Sequence, residues 1–142
     1  MRSLRAREVA RSVFAIDYER LWGRGIRALL FDLDNTLGKR GVKSLDGDAR
    51  KLLHDLEGRG FKVGILTNRR RGEAGGSAVP LAREFMTLDV ARKPHRAGFA
   101  RALAELGQPA GAAAMIGDRR FTDILGANRS GIYSIRVKGF RR

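Results

Sequence analysis

The feature that most constrains this chain is a series of short apolar runs, most of them closed by a polar residue and spaced by stretches of helical pattern. Arg27–Phe31 (RALLF) stops at Asp32, Phe61–Leu66 (FKVGIL) at Thr67, and Ala112–Ile116 (AAAMI) at Gly117-Asp118; Met86–Asp89 and Ile132–Val137 are two further short runs. Runs this short suit strands covered on both faces better than they suit buried helices. Strands alternating with helices imply right-handed βαβ units, hence an α/β domain with a five-stranded parallel sheet and helices on both faces. In such sheets ligands gather beyond the carboxyl ends of the strands.

The intervening stretches carry boundary signals. Asp17 caps a short helix that Gly23 closes, and Asp46 or Asp48 caps a helix running to Gly58 with Leu52, Leu53 and Leu56 on one side. Asn35–Lys43 reads as a loop or small hairpin, Arg69–Ser77 as a basic, glycine-rich loop and Val79–Phe85 as a helix. Pro94 suits the first turn of a helix ending near Gly107, and a last helix is expected over Thr122–Arg129.

Composition narrows the chemistry. The 142 residues are 43% apolar, enough for one domain with a packed core, and no apolar run approaches the ~20 residues of a membrane span. The absence of cysteine excludes a disulfide scaffold, a thiol nucleophile and thiolate metal sites. With only His54 and His95 available, a metal would rest on carboxylates, which favours a hard cation such as Mg²⁺.

Lysine and arginine number 29 against 15 acidic residues, a net charge of +14. Such a field attracts nucleic acid, acidic headgroups or phosphorylated substrates, although an arginine-, alanine- and glycine-rich composition also produces it without any partner. Arg2, Arg5, Arg7 and Arg11 lie at the N-terminus, but no secretory apolar region follows and Glu8 and Asp17 interrupt the run. Residues 1–25 therefore read as a basic arm and short helix packed on the domain, able to touch an anionic membrane, in a protein expected in the cytoplasm.

The strand ends bring four carboxylates (Asp32, Asp34, Asp118 and Asp123) together with Thr67, Asn68 and Lys93 on one edge of the sheet. Taken singly, an Asp-x-Asp, a Thr-Asn or a Lys-Pro is ordinary turn or cap chemistry; their joint order after successive strands is not. Excess carboxylate around one lysine calls for a divalent cation. The set fits phosphoryl transfer through an aspartyl-phosphate. Asp32 attacks phosphorus, Asp34 shuttles the proton, and Lys93 with Thr67 holds the phosphoryl oxygens.

The segments ALLFDLDNTL, GILTN, ARKP and MIGDRRFTDILGANRSGI resemble, in order, the four motifs of the haloacid dehalogenase superfamily of aspartate-nucleophile phosphatases. The GDxxxTDxxGAN form, with the lead-in SVFAIDYERLWGRGI, is similar to the YqeG-like group of subfamily IIIA, related to phosphatidylglycerophosphate phosphatases. That resemblance implies a Rossmann-like domain over 1–142. It implies Asp32 as nucleophile, Asp34 as general acid and base, and Mg²⁺ on Asp32, the Asp34 backbone carbonyl and Asp118. Thr67 and Lys93 become phosphate ligands, joined by Asn68, and Asp123 orients the lysine or a metal-bound water. Residues 38–60 and 69–92, where such enzymes insert caps, are only long enough for their own loop, helix and strand, so no cap domain is expected.

An open site suits a phosphate carried on a larger surface. Arg69, Arg70, Arg71, Arg119 and Arg120 are expected around its mouth, and the resemblance points to a lipid phosphate such as phosphatidylglycerophosphate at the inner face of the membrane. Nucleic-acid binding or end processing on the same scaffold is the alternative, opposed by an aromatic content of only 7% with no interleaved basic–aromatic stripe. A non-catalytic regulator on this fold is a third reading, opposed by the complete set of catalytic residue types.

Overall fold

Along Ala28-Leu29-Leu30-Phe31, side chains alternate between two separate apolar clusters, Leu29 and Phe31 in one and Ala28 and Leu30 in the other. Ala113-Ala114-Met115-Ile116 alternates in the same way. With both faces covered, these strands carry no polar side, which is why they read as continuous apolar runs. A computed structural model describes residues 3–39, 45–68, 84–88 and 93–141 of the chain.

The described residues form one parallel sheet of six strands: β1 (Glu8–Ala10), β2 (Ala28–Phe31), β3 (Lys62–Leu66), β4 (Met86–Leu88), β5 (Ala113–Gly117) and β6 (Tyr133–Val137). Their order is β1-β6-β5-β2-β3-β4. Helices α1 (Tyr18–Gly23) and α2 (Gly47–Gly58) cover one face through Tyr18, Leu21, Leu53 and Leu56. Helices α3 (Arg96–Leu106) and α4 (Leu125–Arg129) cover the other through Phe99, Ala102 and Ala127. Asp17 caps α1 by accepting from Arg20 N, and Asp46 rather than Asp48 caps α2, accepting from Asp48 N and Ala49 N. Gly107 closes α3 in the left-handed conformation, at φ 66°.

The sheet departs from the five strands expected, because the N-terminal arm supplies a sixth. β1 runs parallel to β6, pairing Glu8 with Ile135 and Ala10 with Val137. It is too short and too polar to announce itself, and Val9 is half exposed at 51%. Side-chain hydrogen bonds hold it. Arg7 N donates to Ser134 Oγ, Ser134 Oγ donates to Asn128 Oδ1, and Asn128 Nδ2 donates to the carbonyls of Ser3 and Arg5. The arm is therefore tied to β6 and to the C-terminal end of α4.

Two expected helix starts also shift. The last helical segment opens as a π-helical turn over Arg120–Ile124 before α4 begins. Helix α3 starts at Arg96 and not at Pro94, because the backbone of Lys93 is held by the Asn68 side chain through Lys93 N to Oδ1 (2.8 Å) and Nδ2 to Lys93 O (3.2 Å). Residues 69–77, including Arg69, Arg70 and Arg71, and all but the end of 79–85 lie outside the described residues, as do 40–43 of the expected 35–43 loop. Among the described residues no helix is long and apolar enough to cross a membrane.

Candidate active site

β2, β3 and β5 are the central strands, and their carboxyl ends deliver Asp32, Thr67 and Asp118 side by side. The ladder continues one residue past the assigned strands, with Asp32 N donating to Ile116 O (2.9 Å) and Thr67 N to Leu88 O (3.1 Å). These bonds fix the backbone of two expected site residues on the sheet itself. Both residues are buried.

Lys93 is the centre of the arrangement. Its side chain is 2% exposed, and its ammonium donates to Asp32 Oδ1, Asp123 Oδ1 and the Leu66 carbonyl, each at 2.7 Å. An ammonium has three N–H donors, so each can be matched to one of these oxygens. Burial alone would pull the Lys93 ammonium down, but the Asp123 and Asp32 carboxylates outweigh it and the net shift is upward. The lysine stays charged. Burial raises Asp123, to about 7, with Lys93 opposing the rise and Asp32 adding to it.

Asp32, Asp118 and Asp123 offer carboxylate oxygens that lie within 4.8 Å of one another. This all-oxygen donor set, with more carboxylate than its single ammonium can offset, fits a hard divalent cation. Within the trio Asp123 is already engaged, Oδ1 by Lys93 and Oδ2 by the backbone N–H of Arg119 (3.2 Å). Asp34 follows at the turn, half-buried and bridged to Gly38. Asn35, at φ 57°, sends its Nδ2 to Asp118 Oδ2 (3.1 Å).

The structure thus brings Asp32, Thr67, Lys93, Asp118 and Asp123 to one strand-end site with Asp34 beside them. Asn68, expected as a phosphate contact, spends its amide on the backbone of Lys93 and so sets the lysine's position. Arg119 and Arg120 are exposed on the segment that follows Asp118. Three contributors carry no role in the sequence reading: the Leu66 carbonyl, Asn35 and Gly117. Only Asn35 has a sequence signal, as an amide next to paired carboxylates.

Gly117 is required by close approach. A Cβ there would overlap the Cβ, Cγ and Oδ2 atoms of Asp123, which lies directly over the strand end. Gly126 plays the matching part in α4, where a Cβ would collide with the Phe99 ring and crowd Pro94 Cα. These two glycines let the 117–126 segment close over Lys93-Pro94.

A family model for haloacid dehalogenase-like hydrolases matches residues 39–131. The Bacillus subtilis (strain 168) protein named "Probable phosphatase YqeG" is 30% identical over 130 residues, 92% of this chain and 74% of that protein. The core domain of a Streptococcus pneumoniae TIGR4 protein provisionally named a phosphoglycolate phosphatase is 26% identical, with a TM-score of 0.57 over 82% of this chain and 87% of that one. A crystal structure of a Listeria monocytogenes serotype 4b protein, 22% identical, shares the fold with a TM-score of 0.61, covering 77% of this chain and 76% of the other.

The overlap at Gly117 gives a direct test. Gly117→Ala must push the Asp123 carboxylate off Lys93 or distort the end of β5, and overpacking of this kind costs about 1–3 kcal/mol. Thermal unfolding should show a lower midpoint, and phosphatase activity should fall more than tenfold. A wild-type midpoint with wild-type activity would show that Asp123 does not need this approach.

Proposed function

The chain belongs to the haloacid dehalogenase-like hydrolase family and is a phosphomonoester phosphatase, and from that premise we propose that it turns over through an aspartyl-phosphate on Asp32, with Mg²⁺ as its metal. The observation that carries this reading is the buried Lys93 ammonium shared between Asp32 and Asp123. It orients a carboxylate at a strand end, as a nucleophile must be oriented.

A carboxylate oxygen of Asp32 attacks phosphorus while the ester P–O bond breaks. Asp34 gives its proton to the leaving oxygen, then takes one from the water that attacks the acyl phosphate. Inorganic phosphate leaves and the Asp32 carboxylate returns. The Lys93 N–H that faces Asp32 then follows the phosphoryl oxygens, and Thr67 holds them from just beyond the end of β3. Asp32, Asp118 and the Asp34 carbonyl would hold Mg²⁺, which would supply positive charge to offset the carboxylates and the phosphate. Asp123 remains the partner of Lys93.

Asp32→Asn keeps the shape and removes the nucleophile. Hydrolysis of p-nitrophenyl phosphate should fall at least a thousandfold, with a folded far-UV spectrum retained. Wild-type activity should vanish in EDTA and return with excess Mg²⁺. Full activity of either the variant or the chelated enzyme would contradict the mechanism.

For substrate, the reading is a single capless domain over 1–142 whose open site meets a phosphate presented on a larger surface. A lipid phosphate such as phosphatidylglycerophosphate, at the cytoplasmic face of an anionic membrane, fits best. Support comes from Arg119 and Arg120, exposed next to Asp118, and from Phe121, which at 66% is the most exposed large apolar side chain among the described residues. Basic residues at an anionic surface contribute about 1 kcal/mol each. The protein should co-sediment with phosphatidylglycerol vesicles and not with phosphatidylcholine vesicles, and Arg119→Ala/Arg120→Ala/Phe121→Ser should weaken that binding at least tenfold. Equal partitioning to both vesicles would remove the lipid reading. A salt-dependent shift with a single-stranded oligonucleotide in its place would turn it toward nucleic acid.

A further inference from the structure

Asn35 joins two parts of the molecule that are far apart in sequence. Its Nδ2 donates to Asp118 Oδ2 at 3.1 Å, and its Oδ1 accepts from the backbone N–H of Phe140 at 3.4 Å. The orientation of the amide is dictated by chemistry. A backbone N–H can only donate, so the oxygen must face Phe140 and the NH₂ must face the carboxylate. Aspartate at this position would keep the bond from the Phe140 N–H and replace the bond to Asp118 with a second carboxylate facing it.

Each end of the bridge is held independently. Asn35 sits at φ 57°, a left-handed conformation that asparagine tolerates better than most residues, directly after the Asp32-Leu33-Asp34 turn. Phe140 is buried in the cluster on the α1–α2 face and packs edge-on against Phe14, with ring centroids 6.0 Å apart. Arg141 is ion-paired with Asp46 and Asp48 at the start of α2. The C-terminal turn is therefore a fixed point, and Asn35 transmits that fixity to Asp118.

We propose that Asn35 is a positioning residue for the metal site, orienting the Asp118 carboxylate for a divalent cation by bracing it against the C-terminal turn at Phe140. This rests on the reading of Asp118 as a Mg²⁺ ligand. The brace is neutral, and that suits its task. A second lysine here would offset the negative charge that draws the cation, whereas an amide donor fixes one oxygen and leaves the charge in place.

The test is Mg²⁺ binding to the metal-free protein, measured by titration calorimetry without substrate. Asn35→Gly removes both hydrogen bonds while keeping a residue at ease at positive φ, so the backbone is not strained. It should weaken Mg²⁺ binding about tenfold, in line with loss of a hydrogen bond to a charged ligand. The unfolding midpoint in EDTA should stay within about 3 °C of wild type. In an Asp118→Ala background the same substitution should have no further effect on Mg²⁺ affinity, since the oriented group is gone.

Equal Mg²⁺ affinity in wild type and Asn35→Gly would overturn the proposal, as would an equal loss in the presence and absence of Asp118. Failure of the wild-type protein to bind Mg²⁺, or Asp118→Ala binding it as wild type does, would instead overturn the metal assignment beneath it.

Discussion

A single buried ammonium organises this site. Lys93 sits where β2, β3 and the 119–124 turn meet, with bonds to Asp32, to the Leu66 carbonyl and to Asp123. A buried charge is costly unless it is paired and fully hydrogen-bonded, and removing one partner of such a pair typically costs about 3–5 kcal/mol. The surrounding structure is consequently constrained to keep all three oxygens in place. Asn68 clamps the backbone of Lys93, Gly117 lets Asp123 lie over the strand end, and Gly126 lets α4 close against Phe99 and Pro94.

The same interaction bears on why the proposed mechanism calls on a cation despite a strongly basic chain. The net charge of +14 draws anions toward the protein as a whole. At the strand ends, however, Asp32, Asp118 and Asp123 converge around one ammonium. A phosphate that arrives there would meet more negative than positive charge, and a divalent cation would restore the balance. In the proposed mechanism long-range attraction and local recognition fall to different residues: exposed arginines for the first, Lys93 and a metal for the second.

Much of this was legible in the sequence, for identifiable reasons. β2 and β5 are buried on both faces, so their apolar runs mark them, and the carboxylates that follow those runs, Asp32 and Asp118, come together at the strand ends as part of the candidate site. β1 was not legible, because three residues with an exposed Val9 leave no apolar pattern and the strand is held by Ser134 and Asn128 more than 120 positions away. The π-helical turn and the true start of α3 were missed for a related reason. Local propensity favours a helix from Pro94 and from Thr122; the long-range bond from Lys93 N to Asn68 overrides it at the first, and at the second the Asp123 side chain turns back to accept from Arg119 N, four residues before it. Asn35 read as a loop residue, since nothing local reveals that its amide spans from Asp118 to Phe140.

The central claim is that the carboxylate beside Lys93 is the group that becomes phosphorylated. Asp34→Asn removes the base needed for the second step, while p-nitrophenol leaves without protonation, so the first step still proceeds. With p-nitrophenyl phosphate and Mg²⁺ the acyl phosphate should accumulate on this variant, and borohydride should reduce it to homoserine. Mass spectrometry of the digested protein should then find homoserine at position 32, dependent on both substrate and Mg²⁺. Homoserine at another position, or none while the variant still releases p-nitrophenol, would contradict the account.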